Sequence, residues 1–331
     1  IQPDGRPRPL APYLSWGKGG RPLAGPSGYL GKRLLTAGRS AGFAIQPTVY
    51  NQRPESIETS MRSVAAQTGC TYQLLVADDH SSESFEDEAT ALASELGISN
   101  FTYVRHPENV QTVRNILHAL PYAEGQFIKA LGAGDALYDE STLAAIVAFC
   151  RDNDVHAGFG DIVIDLPDRP SYGAPKRPEC YPPEGCCGHR DLLLMQLSTA
   201  DWIPGCCQFF EKRRLEELLA LLAETYEVRY CEDFAETIAL LDGDVHHLHR
   251  PILLYEWGTG ISTGGSIESR KRLYADHERL YRRLHEAHPD DSSYRSAYGK
   301  FKLRQFLALK TPLYPLLQKI VAKGYTKAAD A

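Results

Sequence analysis

Several familiar signals are missing from this chain, and each absence removes a class of function. There is no run of about 18 apolar residues, so nothing reads as a transmembrane helix. The first residues lack the apolar core of a signal peptide. No G-x-G-x-x-G follows the first apolar run, and no G-x-x-x-x-G-K-[S/T] occurs, so a nucleotide would not be held by a glycine loop. No C-x-x-C pair exists among the 8 cysteines. Cys180, Cys186, Cys187 and His189 therefore lack zinc-site spacing, and free thiols of a cytoplasmic protein are the expectation. Excess positive charge is also missing: the net charge is −6, which speaks against nucleic acid as a partner.

What remains is ordinary for a globular protein, with 43% hydrophobic and 24% charged residues in 331. That length buries a full core in one large domain or two smaller ones. The charge is unevenly spread. Residues 1–40 hold seven Lys/Arg against one Asp, and 268–331 hold fourteen against seven acids, leaving a middle with 15 basic and 34 acidic residues. Such basic ends, rather than the acidic body, would meet an anionic surface.

Residues 1–40, rich in Gly, Pro and Arg, read as an extended arm. Strands are expected at 42–49, 73–77, 101–104, 126–131 and 157–164. Helices are expected at 54–67, opened by Pro54 and carrying Ile57, Met61 and Val64 on one face, and at 84–96, 112–120 and 141–150. This alternation predicts an α/β fold, with a mainly parallel central sheet and helices on both faces. Residues 165–190 carry six prolines and read as a long loop. A strand at 208–210, helices at 215–222 and 231–241, and short strands at 245–249 and 252–255 follow. Beyond Ser262 the chain turns helical and basic. Its apolar and cationic residues suit either an anionic membrane surface or packing on the body or on another copy.

The acids mark the chemistry. The apolar run at 74–77 stops at Asp78-Asp79, and the run at 126–131 stops at Gly132-Ala133-Gly134-Asp135. Ligands of open α/β sheets bind beyond the carboxyl ends of the strands. Carboxylates gathered there suit a divalent cation with a phosphate, or else merely cap the following turns. Glu232-Asp233 reads as a helix start by position alone. His246, His247 and His249 read as an exposed or hydrogen-bonded group rather than a metal site.

Taken in order, Val49-Tyr50-Asn51, Ser63-Val64 with Gln67, Asp78-Asp79-His80-Ser81, Asn109, Arg114-Asn115, Gly125-Gln126-Phe127-Ile128, Gly134-Asp135 and Glu232-Asp233 resemble the motifs of family 2 glycosyltransferases, over residues 43–265. The resemblance implies a Rossmann-like GT-A fold over 41–265, with a nucleotide-binding half (41–150) and an acceptor-binding half (151–265), followed by a basic helical region at 266–331. It implies an inverting transferase that uses a nucleotide-diphospho-sugar, with a UDP-sugar favoured, and Mn2+ or Mg2+. Tyr50 then matches the aromatic that stacks on the base, and Asp79 with Asp78 the acid that reads base or ribose. Asp135 matches the metal-binding acid and Asp233 the general base. Thr48, Arg114 and Gly134 join the donor site, while Glu232, Trp257 and Ser262 are acceptor or lid candidates.

Two departures stand out: a single acid in the Gly132–Asp135 stretch, and no glycine in Asn109-Val110-Gln111. The expected acceptor is a glycan or lipid-linked glycan, with a peripheral place at the inner face of a membrane and homo-oligomerisation left open. The rival readings are a sugar nucleotidyltransferase, which would need a basic glycine-rich signature after residue 49, and a non-catalytic glycan-binding relative.

Overall fold

The computed structural model describes residues 42–166, 169–172, 188–200, 202–256 and 266–310. The arm at 1–40, the lid residues Trp257 and Ser262, the cysteines at 180, 186 and 187 and the tail beyond 310 lie outside the described residues, as does the side chain of Thr48.

The first half alternates as its hydrophobic pattern requires: β1 (Phe43–Val49), α1 (Pro54–Ala65), β2 (Tyr72–Asp78), α2 (Glu86–Glu95), β3 (Phe101–Arg105), α3 (Gln111–Ala119) and β4 (Phe127–Gly132). These strands pair in parallel in the order β3-β2-β1-β4. β1, β2 and β4 are largely apolar and buried, with Phe43, Ile45, Leu74, Leu75 and Val76 wholly so, while edge strand β3 is partly exposed. Pro47 stands within central β1, where it cannot donate a ladder bond. The pairing of β1 with β2 accordingly skips from Ile45↔Leu74 to Thr48↔Ala77. α1 starts at Pro54 and buries Ile57, Met61 and Val64, the face expected from their spacing.

The second half contributes β5 (Ala136–Leu137), α4 (Thr142–Asn153), β6 (Ala157–Leu166), β7 (Arg169–Tyr172), α5 (His189–Thr199), β8 (Gln208–Glu211), α6 (Lys212–Glu224), α7 (Phe234–Leu241) and β9 (His246–Glu256). The sheet continues past β4 as β8-β6-β9-β5, with β7 beside β6. β8 runs antiparallel to both β4 and β6, whereas β6 and β9 are parallel.

Three expectations need correcting. The two short strands at 245–249 and 252–255 are one strand, bent by register shifts near Gly160 and Asp161. The loop at 165–190 contains β7, and α5 begins at its end. Finally, Glu232 and Asp233 precede α7 rather than lying inside it. α5 went unread because Leu192, Leu193, Gln196 and Leu197 form a short buried face without a helix-start signal.

α8 (Ile267–Ala287) and α9 (Ser292–Lys310) follow, α8 capped by the Ser266 hydroxyl, which accepts from the Ser269 amide at 3.0 Å. Of the two readings of the basic C-terminal region, packing on the body describes these helices. Trp202, Phe234, His277, Tyr281 and Phe301 stack into one aromatic cluster joining α7, α8 and α9. The Tyr281 hydroxyl and Arg304 both donate to the Leu197 carbonyl at the end of α5, at 2.6 and 3.2 Å. Burial lowers the His277 pKa to about 4, so the ring sits neutral in the cluster. Among the described residues no helix is long and apolar enough to cross a membrane.

Phe301 is buried at the cluster's centre. Phe301→Ala should therefore cost about 3–5 kcal/mol in equilibrium denaturation. A loss below about 1 kcal/mol would mean that α9 is not part of the core.

Candidate active site

The carboxyl ends of β1, β2 and β4 open onto one edge of the sheet, and the acids expected there divide into different environments. Asp78 points inward and is wholly buried. Its carboxylate accepts from the Ser81 amide (2.8 Å), the Tyr103 hydroxyl (2.9 Å) and Arg105 Nε (3.3 Å). These bonds shape the turn after β2 and leave Asp78 with little capacity for the ligand-binding role expected of it. Asp79, the next residue, turns to the other side. Its carboxylate accepts from the Val110 amide at 2.6 Å, and its own amide donates to the Val49 carbonyl. Burial raises its pKa, while the amides of Val110 and Gln111 pull it back. Asp79 thus caps the start of α3, the bland reading of a strand-end acid, and still lies on the edge of the site.

Tyr50 is 47% exposed just beyond β1, a free aromatic face on the same edge. The two loop ends are tied: the Asn51 amide donates to Ser81 Oγ at 3.0 Å, and Asn51 Oδ1 accepts from the Ser82 amide at 2.8 Å. Asn51, His80 and Gln111 all have left-handed backbone, with φ of 50°, 62° and 64°. Non-glycine residues held there mark a rim that the surrounding structure over-determines. Gln111, in the stretch that lacks a glycine, thus holds a backbone conformation that glycine adopts freely.

Asp135 is 4% exposed at the end of β4. Its carboxylate accepts from the Glu256 amide at 3.0 Å, and burial lifts its pKa to about 7. Gly134 has φ of 101°, and a Cβ there would lie 1.9 Å from the Glu256 carboxylate. Glycine is what allows Glu256 to fold over the turn. Glu256 also pairs with Arg53 at 3.1 Å. Sequence reading missed Glu256, which is brought here only because β9 pairs with β5 and β6. It also missed Lys129, a wholly buried lysine in β4 that donates to the carbonyls of Ala130 and Cys206. Burial lowers its pKa, against the opposing pull of Cys206, Cys207 and Asp135. A lysine inside the apolar run at 126–131 was the available signal.

Glu232 and Asp233 are half-buried before α7. Burial raises both pKa values, and their neighbouring negative charges add to it. The turn at 205–207 lies against them: a Cβ on Gly205 would come within 2.7 Å of Glu232 Oε1. Asp135 and Glu232 both act electrostatically on Cys206, so that turn bridges the two acidic sites. Glu236, one turn into α7, accepts from Gln196 at 3.1 Å, and burial lifts its pKa to about 8.

The segment before Glu232 is fixed by Asp276 of α8, which is wholly buried. Its Oδ2 accepts from the amides of Arg229, Tyr230 and Cys231 at 3.0, 2.6 and 3.2 Å, while Oδ1 pairs with Arg279 at 2.6 Å. Arg114 stands one turn along α3 from the Asp79 cap and pairs with Glu224 at 2.9 Å. His247 is buried, bonded to Asp161 at 3.0 Å and stacked on Phe159. Among the described residues no three His, Cys, Asp or Glu side chains gather as a metal centre.

A Rossmann-like sheet with acids at the ends of β2 and β4, and a further acidic pair before α7, defines a GT-A glycosyltransferase. The sequence pattern of Glycosyl transferase family 2 matches residues 48–225, more than half of the chain, and the chain belongs to that family. No curated protein sequence matches it. Among solved structures it is similar to S. aureus TarS 1-349 in complex with UDP-GlcNAc, with 15% identity, TM-score 0.54, and coverage of 87% of this chain and 79% of that one. It is likewise similar to the mannosyltransferase PcManGT from Pyrobaculum calidifontis in complex with GDP-Man and Mn2+, with 16% identity, TM-score 0.51 and coverage of 88% and 84%. At these identities the likeness concerns the fold.

The raised acids set a pH dependence. A carboxylate whose pKa is higher folded than unfolded favours folding below its unfolded value, and that stability is lost as pH rises through the folded value. For Asp135 and Glu236 the folded values are about 7 and about 8. His277 works in the opposite sense, but only between its folded value of about 4 and its ordinary 6.5. Lys129, whose pKa burial lowers, also works in the opposite sense, so the contribution of Glu236 is read as a difference: between pH 6.5 and 8 the melting temperature of the ligand-free Glu236→Gln variant should rise relative to that of the wild type. A constant difference between the two profiles over that interval contradicts the assignment.

Proposed function

We propose that the chain is an inverting transferase that moves a sugar from a nucleotide-diphospho-sugar, with a UDP-sugar favoured, to a hydroxyl of a glycan or lipid-linked glycan. The observation that carries this reading is the division of the acids: Asp79 beside exposed Tyr50, Asp135 at the end of β4, and Asp233 on a separate segment. TarS is described with UDP and with UDP-GlcNAc, and PcManGT with GDP-Man and Mn2+, which supports a nucleotide-sugar donor and a divalent metal here.

In this reading Tyr50 offers its exposed ring to the base, and Asp79, held by the α3 amides, accepts from base or ribose hydroxyls. The fit to a divalent cation rests on Asp135. Its buried carboxylate, lifted to about 7, is a group that a cation would return to the charged state. With Glu256 over Gly134, two carboxylates converge on one small turn. Diphosphate oxygens and water would complete such a set for Mn2+ or Mg2+, and the bound cation would neutralise charge on the leaving diphosphate. Asp233 takes the proton from the attacking acceptor hydroxyl. Its raised pKa makes it a stronger base than an exposed aspartate, available as pH rises. Gly205 leaves Glu232 room to orient the acceptor beside it.

A donor panel tests this reading. With Mn2+ present, a UDP-, GDP- or dTDP-sugar should raise the melting temperature and be slowly hydrolysed. No response to any nucleotide overturns the proposal. Asp233→Asn should keep donor binding and lose transfer by about 100-fold or more, the scale of general-base catalysis. Normal transfer by that variant would remove Asp233 from its role.

A further inference from the structure

Beside the proposed active site lies a basin of about 390 Å³, lined by Gln111, Arg114, Glu227, Arg229 and Arg279. In an acidic protein this is a local reversal of charge. Three arginines, Arg114, Arg229 and Arg279, line the basin, and Arg283 pairs with the lining Glu227 at 3.3 Å. The carboxylates that face them are Glu224, Glu227 and Asp276. Asp276 is already committed to three backbone amides and Arg279, and Glu224 is exposed and bound to Arg114. Arg229 is exposed at the rim, and its guanidinium has no hydrogen-bond or ion-pair partner among the described residues, which leaves it available to a ligand.

We propose that this basin is an acceptor subsite for a phosphate group: the acceptor carries a phosphate monoester or diester close to the hydroxyl that receives the sugar. The inference deepens the reading of Asp233 as the base and rests on it. Arg229 stands in the same Asp276-held segment that leads into Glu232 and Asp233, while Gln111 lies at the opposite wall, next to the amide that holds Asp79. A group in the basin would lie against the segment that leads to Asp233 and apart from Asp135, where the donor diphosphate belongs; this moves Arg114 from the donor side, where it was expected, to the acceptor side. Guanidinium forks match the several oxygens of a phosphate, and three of them converge on one cavity. The basic C-terminal region thereby contributes to recognition, since α8 supplies Arg279 while its Asp276 fixes Arg229.

The test uses the full chain with UDP and Mn2+ at saturation, so that the donor site cannot take the probe. Glycerol 3-phosphate is titrated by calorimetry. Binding should be weakened about tenfold or more in Arg229→Ala, corresponding to about 1.4 kcal/mol, and partly kept in Arg229→Lys. UDP affinity and melting temperature are measured on the same variants. Equal binding by Arg229→Ala, or no Arg229-dependent binding of either glycerol 3-phosphate or the acidic vesicles of the second arm, overturns the proposal. So does a parallel loss of UDP affinity, which would make the basin part of the donor site. A second arm uses phosphatidylcholine vesicles with and without phosphatidic acid. Arg229-dependent binding to the acidic vesicles alone assigns the phosphate to a lipid, and binding to the soluble phosphate alone assigns it to a water-soluble acceptor. Failure of the glycosyltransferase reading is recognised separately, because no nucleotide-sugar would then be bound or hydrolysed.

Discussion

One buried carboxylate holds the acidic pair in place. Asp276 has no exposure, and a charge in that position is tolerable only when its lone pairs are filled. They are filled by three consecutive amides of the segment leading to Glu232 and by Arg279. The segment from Arg229 to Cys231 has no regular hydrogen-bonding of its own, so α8 supplies what a helix or sheet would otherwise provide. The C-terminal helices are thus part of the site's support. Their aromatic contacts to Trp202 and Phe234 press α8 against α7, and that packing keeps Asp276 in register with the amides it binds.

Charge is distributed unequally across the same edge of the sheet. Asp135, Glu232, Asp233 and Glu236 are all raised by burial, while Lys129 is the buried lysine below them. Lys129 directs its protons to the carbonyls of Ala130 and Cys206, and its positive charge works against the rise of the Asp135 pKa from a distance. Asp78, by contrast, accepts three hydrogen bonds from its neighbours, which fits a part in shaping the turn after β2.

Much of the fold was legible because parallel strands buried on both faces write uninterrupted apolar runs, and α1 announces itself with Pro54 and a periodic Ile57, Met61 and Val64. The acids at strand ends were legible for the same reason: a run that stops at a carboxylate shows where the sheet ends. Which carboxylate does what was not. Asp78 and Asp79 are adjacent and chemically identical, and only alternation along the strand, together with Tyr103 and Arg105 waiting on β3, sends one inward. Glu256, Asp276 and Lys129 escaped because their partners are distant in sequence; each acquires meaning from pairing or packing that no local pattern encodes.

The reversal of direction at β8 joins the two halves. Had β8 entered parallel to β4, its preceding turn would lie at the opposite edge of the sheet, away from Asp135. Because it pairs antiparallel, Phe127 with Glu211 and Ile128 with Phe210, the turn at 205–207 comes in at the carboxyl end of β4. That is why the Cys206 carbonyl reaches Lys129 and why Gly205 meets Glu232. The parallel strands set out one row of acids; the antiparallel strand brings the second row to face it. The separation of the acids at the ends of β2 and β4 from Glu232 and Asp233 is therefore a consequence of strand direction, and Gly205, with no side chain to obstruct the approach, lets the 205–207 turn lie close against Glu232.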